Sequence, residues 1–219
     1  MRWKSERVFV DTAEYMESLI AECDAAVESI CMEFYIFEPD AVGQRVVDSL
    51  ARAAQRGVCA RLLVDGFGSA EWVYSQAKEL SGKGVEVKIF HPLPLLFFFG
   101  PLANSFFSLL WLPYILKINS RNHRKLCIID KRIVYSGSQN IVLPHKNRTS
   151  GNGFWRETGV RVEGMAIAEL EIAHERTWAR SWGFTQKIQL PRLIHRNPNT
   201  VSSGLVRIND PKKKRKALW

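Results

Sequence analysis

Apolar positions recur along this chain in two rhythms, one at helical spacing and one as short continuous runs bounded by Gly, Asp and Ser. "YMESLIAECDAAVESICMEFYIF" begins at helical spacing and passes, at Ser29–Phe37, into a run that predicts a buried strand. Asp40 is placed to cap a helix whose apolar face is Val42, Val46, Val47, Leu50 and Ala54, and Gly57 closes it. "VCARLLVDG" predicts a second strand, "SAEWVYSQAKELSGKG" a Ser-capped helix closed by glycine, and "VEVKIF" a third strand. Further on, "KLCIID" and "RIVYSGS" read as a hairpin joined by Asp130-Lys131-Arg132, "RETGVRVEG" as a strand, and "MAIAELEIAHERTWARSW" as a long amphipathic helix. The β-α-β-α-β order predicts an α/β fold, with a mixed and mostly parallel sheet flanked by helices.

One region breaks the rhythm. Ile89 to Leu116 contains no Asp, Glu, Lys or Arg, and with its flanks it forms an uncharged hydrophobic insertion at 89–118. Its length permits a membrane span, but Pro92, Pro94, Pro101 and Pro113 oppose one regular helix. Three readings stay open: a buried loop or helical hairpin, an interfacial segment carrying Phe97, Phe98, Phe99, Phe106, Phe107 and Trp111 into the membrane surface, or a true span.

Composition narrows the partners. The 219 residues, 46% of them hydrophobic, can bury a substantial core, which excludes a disordered tail. Thirty-one Lys+Arg against 22 Asp+Glu give a net charge of +9, which suits an anionic partner. Part of that charge lies in "PKKKRK", a run that reads equally as a solvated terminus or a binding segment. Cys23, Cys31, Cys59 and Cys127 stand singly in apolar runs and read as buried, reduced thiols. The opening "MRWKSERVFVD" shows no signal-peptide stretch.

The chemistry concentrates in "HRKLCIIDKRIVYSGSQN". Alternation along the first strand sends His123 and Lys125 to one face. A tight hairpin returns Gly137, Ser138 and Asn140 beside them. Histidine can attack phosphorus or move a proton, lysine supplies a positive charge, and Ser and Asn supply neutral donors, so the set can cradle a phosphoryl group. An isolated histidine would read as an ordinary polar residue; the constellation is what points to chemistry.

His123-x-Lys125-x4-Asp130-x6-Gly137-Ser138-x-Asn140 resembles the HKD motif of the phospholipase D superfamily. The flanks, "EFYIFEPDAVGQRVVDSLARAAQRGVCARLLVDGFGS", "RNHRKLCIIDKRIVYSGSQNI" and "GVRVEG" before a Trp-bearing helix, resemble the N-terminal half of a bacterial cardiolipin synthase. The resemblance implies a phosphohistidine mechanism without metal or cofactor, in which one histidine attacks the phosphodiester and a second protonates the leaving alcohol. The catalytic candidates it implies are His123, Lys125, Asp130 and Glu157, with Lys125, Ser138 and Asn140 binding phosphate oxygens. Within that set Asp130 is expected to hold the hairpin, and Glu157 to accept a hydrogen bond from the imidazole. Glu33, in "EFYIF", lies on a strand that could reach the site or fill a hydrogen-bonded core role.

The motif occurs once, whereas the mechanism needs two histidines. His91, His145, His174 and His195 have no lysine two residues on. The expectation is a phospholipase D-like domain over 1–200, with 201–219 as either the start of a truncated second half or a basic tail. Two architectures answer the missing histidine: a second HKD half, or a homodimer. The implied substrate is an anionic phospholipid, phosphatidylglycerol, met at a membrane surface on the cytoplasmic side of the bacterial inner membrane. A homodimeric phosphodiesterase or nuclease explains the charge and the single motif but leaves the Phe-rich stretch unexplained, so nucleic acid is the less favoured partner. A catalytically incomplete membrane-binding half is the third reading.

Overall fold

A computed structural model of the chain describes residues 4–93, 121–143, 157–164 and 167–183. Most of the uncharged insertion, the 201–219 segment, His145 and His195 lie outside them. The elements, in chain order, are β1 (Ser5–Phe9), α1 (Thr12–Ala25), β2 (Ser29–Phe34), α2 (Ala41–Gln55), β3 (Cys59–Asp65), α3 (Ala70–Ser75), α4 (Ala77–Gly82), β4 (Glu86–Phe90), β5 (Leu126–Ile129), β6 (Ile133–Gly137), β7 (Gly159–Glu163), α5 (Ala168–Trp178) and β8 (Trp182–Gly183).

The strands form one eight-stranded sheet in the order β1-β7-β6-β5-β2-β3-β4-β8. It is mixed and flanked by helices, as the sequence predicts, but its parallel part is narrower than predicted. Only β2–β3 and β3–β4 pair in parallel, and the five other ladders are antiparallel. Parallel neighbours need a crossover such as α2, whereas a tight turn like that between β5 and β6 can only reverse the chain.

Alternation along the strands sorts two apolar layers. Ile30, Met32, Phe34, Leu62, Val64, Cys127 and Ile129 pack with α1 and α2 in the main core. On the other face Leu126, Ile128 and Val134 meet Ile167 and Leu170, and Leu63 and Phe90 meet Trp178 of α5. Asp11 caps α1 through the Glu14 amide, and Asp40 caps α2 through the amides of Val42 and Gly43. Gly57, at φ 89°, follows the end of α2.

Three local expectations change. The strand from Ser29 stops at Phe34, and 36–38 instead meet Ile141. The single helix after Ser69 divides at Gln76, where φ reaches −125°. Ser69 does not cap it, because its hydroxyl accepts from Phe37 N at 2.9 Å and donates to Tyr35 O at 3.0 Å. Cys59 is exposed at the start of β3, while burial pushes the Cys31 thiol up to about 12.

Candidate active site

Residues 121–125 lead into β5 past the C-terminal ends of β4, β3 and β2, and their side chains are fixed in that order. Arg121 Nη1 donates to His91 O at 3.3 Å and lies 3.6 Å from Asp65 Oδ1. Asn122 N donates to Asp65 Oδ2 at 3.0 Å, and Asn122 Nδ2 donates to Glu33 Oε1 at 2.6 Å. The His123 ring then sits against Tyr35, with centroids 4.5 Å apart. Arg124 Nη1 is 3.3 Å from Glu33 Oε1 and donates to Ala173 O at 3.2 Å. His123 itself is exposed, whereas Lys125 is buried beneath it at 6% exposure.

Lys125 Nζ lies 3.4 Å from His123 Nδ1 and donates to His123 O at 3.2 Å. Its ammonium also faces the Tyr35 ring, 5.4 Å from the centroid. Burial and the Lys125 charge hold the His123 imidazole below its ordinary range, against a smaller opposing pull from Asp65. Burial likewise lowers Lys125, and the Glu157 carboxylate partly offsets it. A charged Lys125 can only donate, so Nδ1 must accept, and the hydrogen of the neutral ring lies on Nε2.

The return strand supplies the other candidates. Leu126 pairs with Ser136, so Gly137 comes opposite Lys125. Gly137 has φ 154°, and a Cβ there would run into the Thr158 carbonyl oxygen, so only glycine fits this junction. Ser138 Oγ accepts from Thr158 N at 3.0 Å and is therefore already tied to the entry of β7. Asn140 Oδ1 accepts from Ile36 N at 3.2 Å, next to the residue that carries the His123 ring. Its Nδ2 makes no hydrogen bond among the described residues and is the donor available to an oxyanion.

Glu157 sits differently from expectation, while Asp130 keeps to the hairpin as expected. Glu157 makes no hydrogen bond to His123; its charge acts on Lys125, and its buried Oε2 has no partner among the described residues. Asp130 is not brought to the site. It lies at the far end of β5, where its carboxylate accepts from the amides of Val27, Glu28 and Ser29 at 3.1, 2.7 and 2.9 Å. A four-residue strand separates it from Lys125, so it cannot share their substrate. Of the other described histidines, His174 is 1% exposed, with Nδ1 3.1 Å from Glu33 Oε2, and His91 follows β4, backbone-bonded to Arg121. Among the described residues no group of three or more His, Cys, Asp and Glu side chains is arranged to hold a metal ion.

Sequence reasoning missed Asp65, Asn122, Tyr35 and His174. An aspartate ending the otherwise apolar "LLVD" run was the legible signal for Asp65, since a fully buried carboxylate needs partners. Glu33 takes the core role, buried and bonded to Asn122, Arg124 and His174.

The family model described as "Cardiolipin synthase, PLD-like domain" matches residues 19–152. The chain belongs to this cardiolipin synthase-type, phospholipase D-like family. A cardiolipin synthase of Clostridium perfringens is 33% identical over 165 residues, 75% of this chain and 31% of the relative. Those of Geobacillus sp. and Listeria welshimeri are 31% and 32% identical, over 86% and 90% of this chain and 35% and 39% of theirs. The phospholipase D-like chain thus spans roughly a third of the length of the curated relatives it matches. Its fold is shared with Nuc from Salmonella typhimurium, a phospholipase D family member, at a TM-score of 0.55 and 18% identity, covering 82% of this chain and 99% of that one. NucT from Helicobacter pylori gives 0.56 and 20% over the same shares.

Proposed function

We propose that this chain supplies one histidine half of a phosphatidyltransferase of cardiolipin synthase type, moving a phosphatidyl group from phosphatidylglycerol to a second phospholipid alcohol. The observation that carries the reading is an exposed His123 imidazole held over a buried Lys125, with the Asn140 amide on the neighbouring segment. Lys125 turns from Nδ1 to a phosphate oxygen as substrate arrives, and Asn140 Nδ2 donates to the same group. Nδ1 then takes the ring hydrogen, with Glu157 as its candidate acceptor. Nε2 attacks phosphorus, the phosphorus–oxygen bond to glycerol breaks, and a second histidine protonates the departing alkoxide. The acceptor alcohol gives its proton back to that histidine and attacks the phosphohistidine, which regenerates His123. The second histidine comes from another copy of this chain or from a second HKD half.

The reading places the protein peripherally at an anionic membrane surface, which the net charge of +9 favours. Among the described residues no helix is long and apolar enough to cross a membrane. The test is to incubate the chain with phosphatidylglycerol vesicles and follow cardiolipin and glycerol by mass spectrometry. Product is expected from the native protein, alone if two copies complete the site or with a second HKD half added, and none with His123→Ala; turnover retained in the variant would overturn the assignment. A homodimeric phosphodiesterase acting on nucleic acid also fits the single motif and the charge. Metal-independent cleavage of single-stranded DNA, with no lipid product, would favour it.

A further inference from the structure

Glu33 and Asp65 are both 0% exposed, and they stand near the C-terminal ends of the adjacent parallel strands β2 and β3. Two carboxylates removed from water side by side are costly unless their lone pairs are filled. Here the partners that fill them converge on one short segment. Asp65 takes the backbone N–H of Asn122 on Oδ2 and those of Phe67 and Gly68 on Oδ1. Glu33 takes the Asn122 amide on Oε1 and His174 on Oε2. Arg121 and Arg124, the residues on either side of Asn122 and His123, bring two positive charges against the two negative ones. Among the described residues no ladder hydrogen bond holds residues 121–125, because β5 begins only at Leu126.

We infer that Asn122, gripped through its backbone by Asp65 and through its side chain by Glu33, is the positioning residue that fixes the place and orientation of the His123 imidazole, and that His174 anchors this clamp to α5. Asn122 does not touch substrate in this scheme; it acts through His123. The 2.6 Å bond to a fully buried carboxylate is the shortest neutral-to-charged contact of the segment. With Asn122 held on both sides, the next residue has little freedom except rotation of its own side chain, and that is limited by Tyr35 on one flank and Lys125 on the other.

The test uses the full chain with isotopically labelled histidine, His123 being assigned by its loss in His123→Ala. Asn122→Ala is expected to move the His123 ring resonance away from the Tyr35-shifted position and to raise its titration midpoint towards ordinary histidine. Turnover should fall about 100-fold in kcat with KM little changed, the usual cost of a misplaced catalytic group. Asn122→Asp alone sets two carboxylates against each other, while Asn122→Asp with Glu33→Gln restores one donor facing one acceptor at the same total charge and should return the native resonance. Asp24→Asn, which breaks the remote contacts to Ser49 and Arg52, is the control that lowers stability without moving His123. Folded Asn122→Ala protein with the native His123 resonance and midpoint would overturn the inference. Should that variant not fold, the double variant decides: a displaced His123 resonance in it overturns the clamp, and a native one supports it. The kcat arm rests on the phosphatidyltransferase reading, but the resonance arm does not. Native protein without turnover even when a second HKD half is supplied would therefore sink that reading and leave the clamp standing or falling on its own signal.

Discussion

Lys125 is buried within reach of an exposed imidazole, and that placement gives His123 a measurable signature. Burial and the ammonium charge both disfavour the imidazolium, so neutral His123 persists to a lower pH than an ordinary histidine, whose midpoint is about 6.5. Lys125→Met removes the charge while keeping the apolar stem. The His123 midpoint should then rise towards the ordinary value in an NMR titration; an unchanged or lower midpoint would show that the ammonium does not act on the ring. The reasons for His123, Lys125 and Asn140 were legible because the chemistry names the residue types and the spacing places them on one hairpin. Asn122 was not, because its role depends on a contact across 57 residues that no local pattern encodes.

The β5–β6 hairpin shows the same division between local and distant information. Its turn is written in the sequence, and the structure forms it with Asp130 and Lys131 at φ 49° and 51° and Arg132 N bonded to Ile129 O at 3.0 Å. Two positive-φ residues match the twist of the flanking strands. What the sequence did not reveal is that Asp130 reaches across about a hundred residues to the loop before β2. Burial pushes its carboxyl up, but the amides of Ser29, Glu28 and Val27 outweigh that and leave it below the usual range. A carboxyl lowered on folding stabilises fully above its unfolded value of about 3.9, and the contribution is lost as the pH falls through the folded value. Asp130→Ala should cost about 1–3 kcal/mol at neutral pH, the range for orphaned donors to a charged acceptor. Denaturant unfolding at several pH values checks this, and the gap between the two proteins should narrow below about pH 4. A gap that widens on acidification would contradict the anchoring role. The side-chain cap predicted at Ser69 failed for a comparable reason, since the segment after β2 claims the hydroxyl that local pattern assigns to it.

At the scale of the whole molecule, the described residues bring one exposed histidine to the site, and the proposed reaction needs two. On the two-copy reading, a dimer holding one His123→Ala chain has an incomplete site. Mixing native and variant chains in equal amounts, with exchange, leaves about one quarter of dimers intact by random pairing. Activity per native chain should therefore drop to about half, whereas a chain that works alone or with a separate half would keep it constant. Mass spectrometry of cardiolipin across a mixing series distinguishes the two curves. The fold class was readable because alternating helix and strand runs dictate layered packing; the breadth of the antiparallel part was not, since it depends on which distant edges meet.

One such meeting governs how the chain emerges from the ribosome. β1 precedes every other described strand in the sequence, yet its ladder partner is β7, from Ser5 against Glu163 to Phe9 against Gly159. At about 5–20 residues per second, β1 waits roughly 8–30 s for that partner to be synthesised. Through that interval the parallel core of β2, β3 and β4, which is contiguous and complete much earlier, can assemble without it. The strand at that edge of the sheet is thus made before the other described strands and must wait for one of the latest of them. The stretch carrying Val8 and Val10, both 62% exposed even when folded, offers apolar side chains to a nascent-chain chaperone throughout that wait.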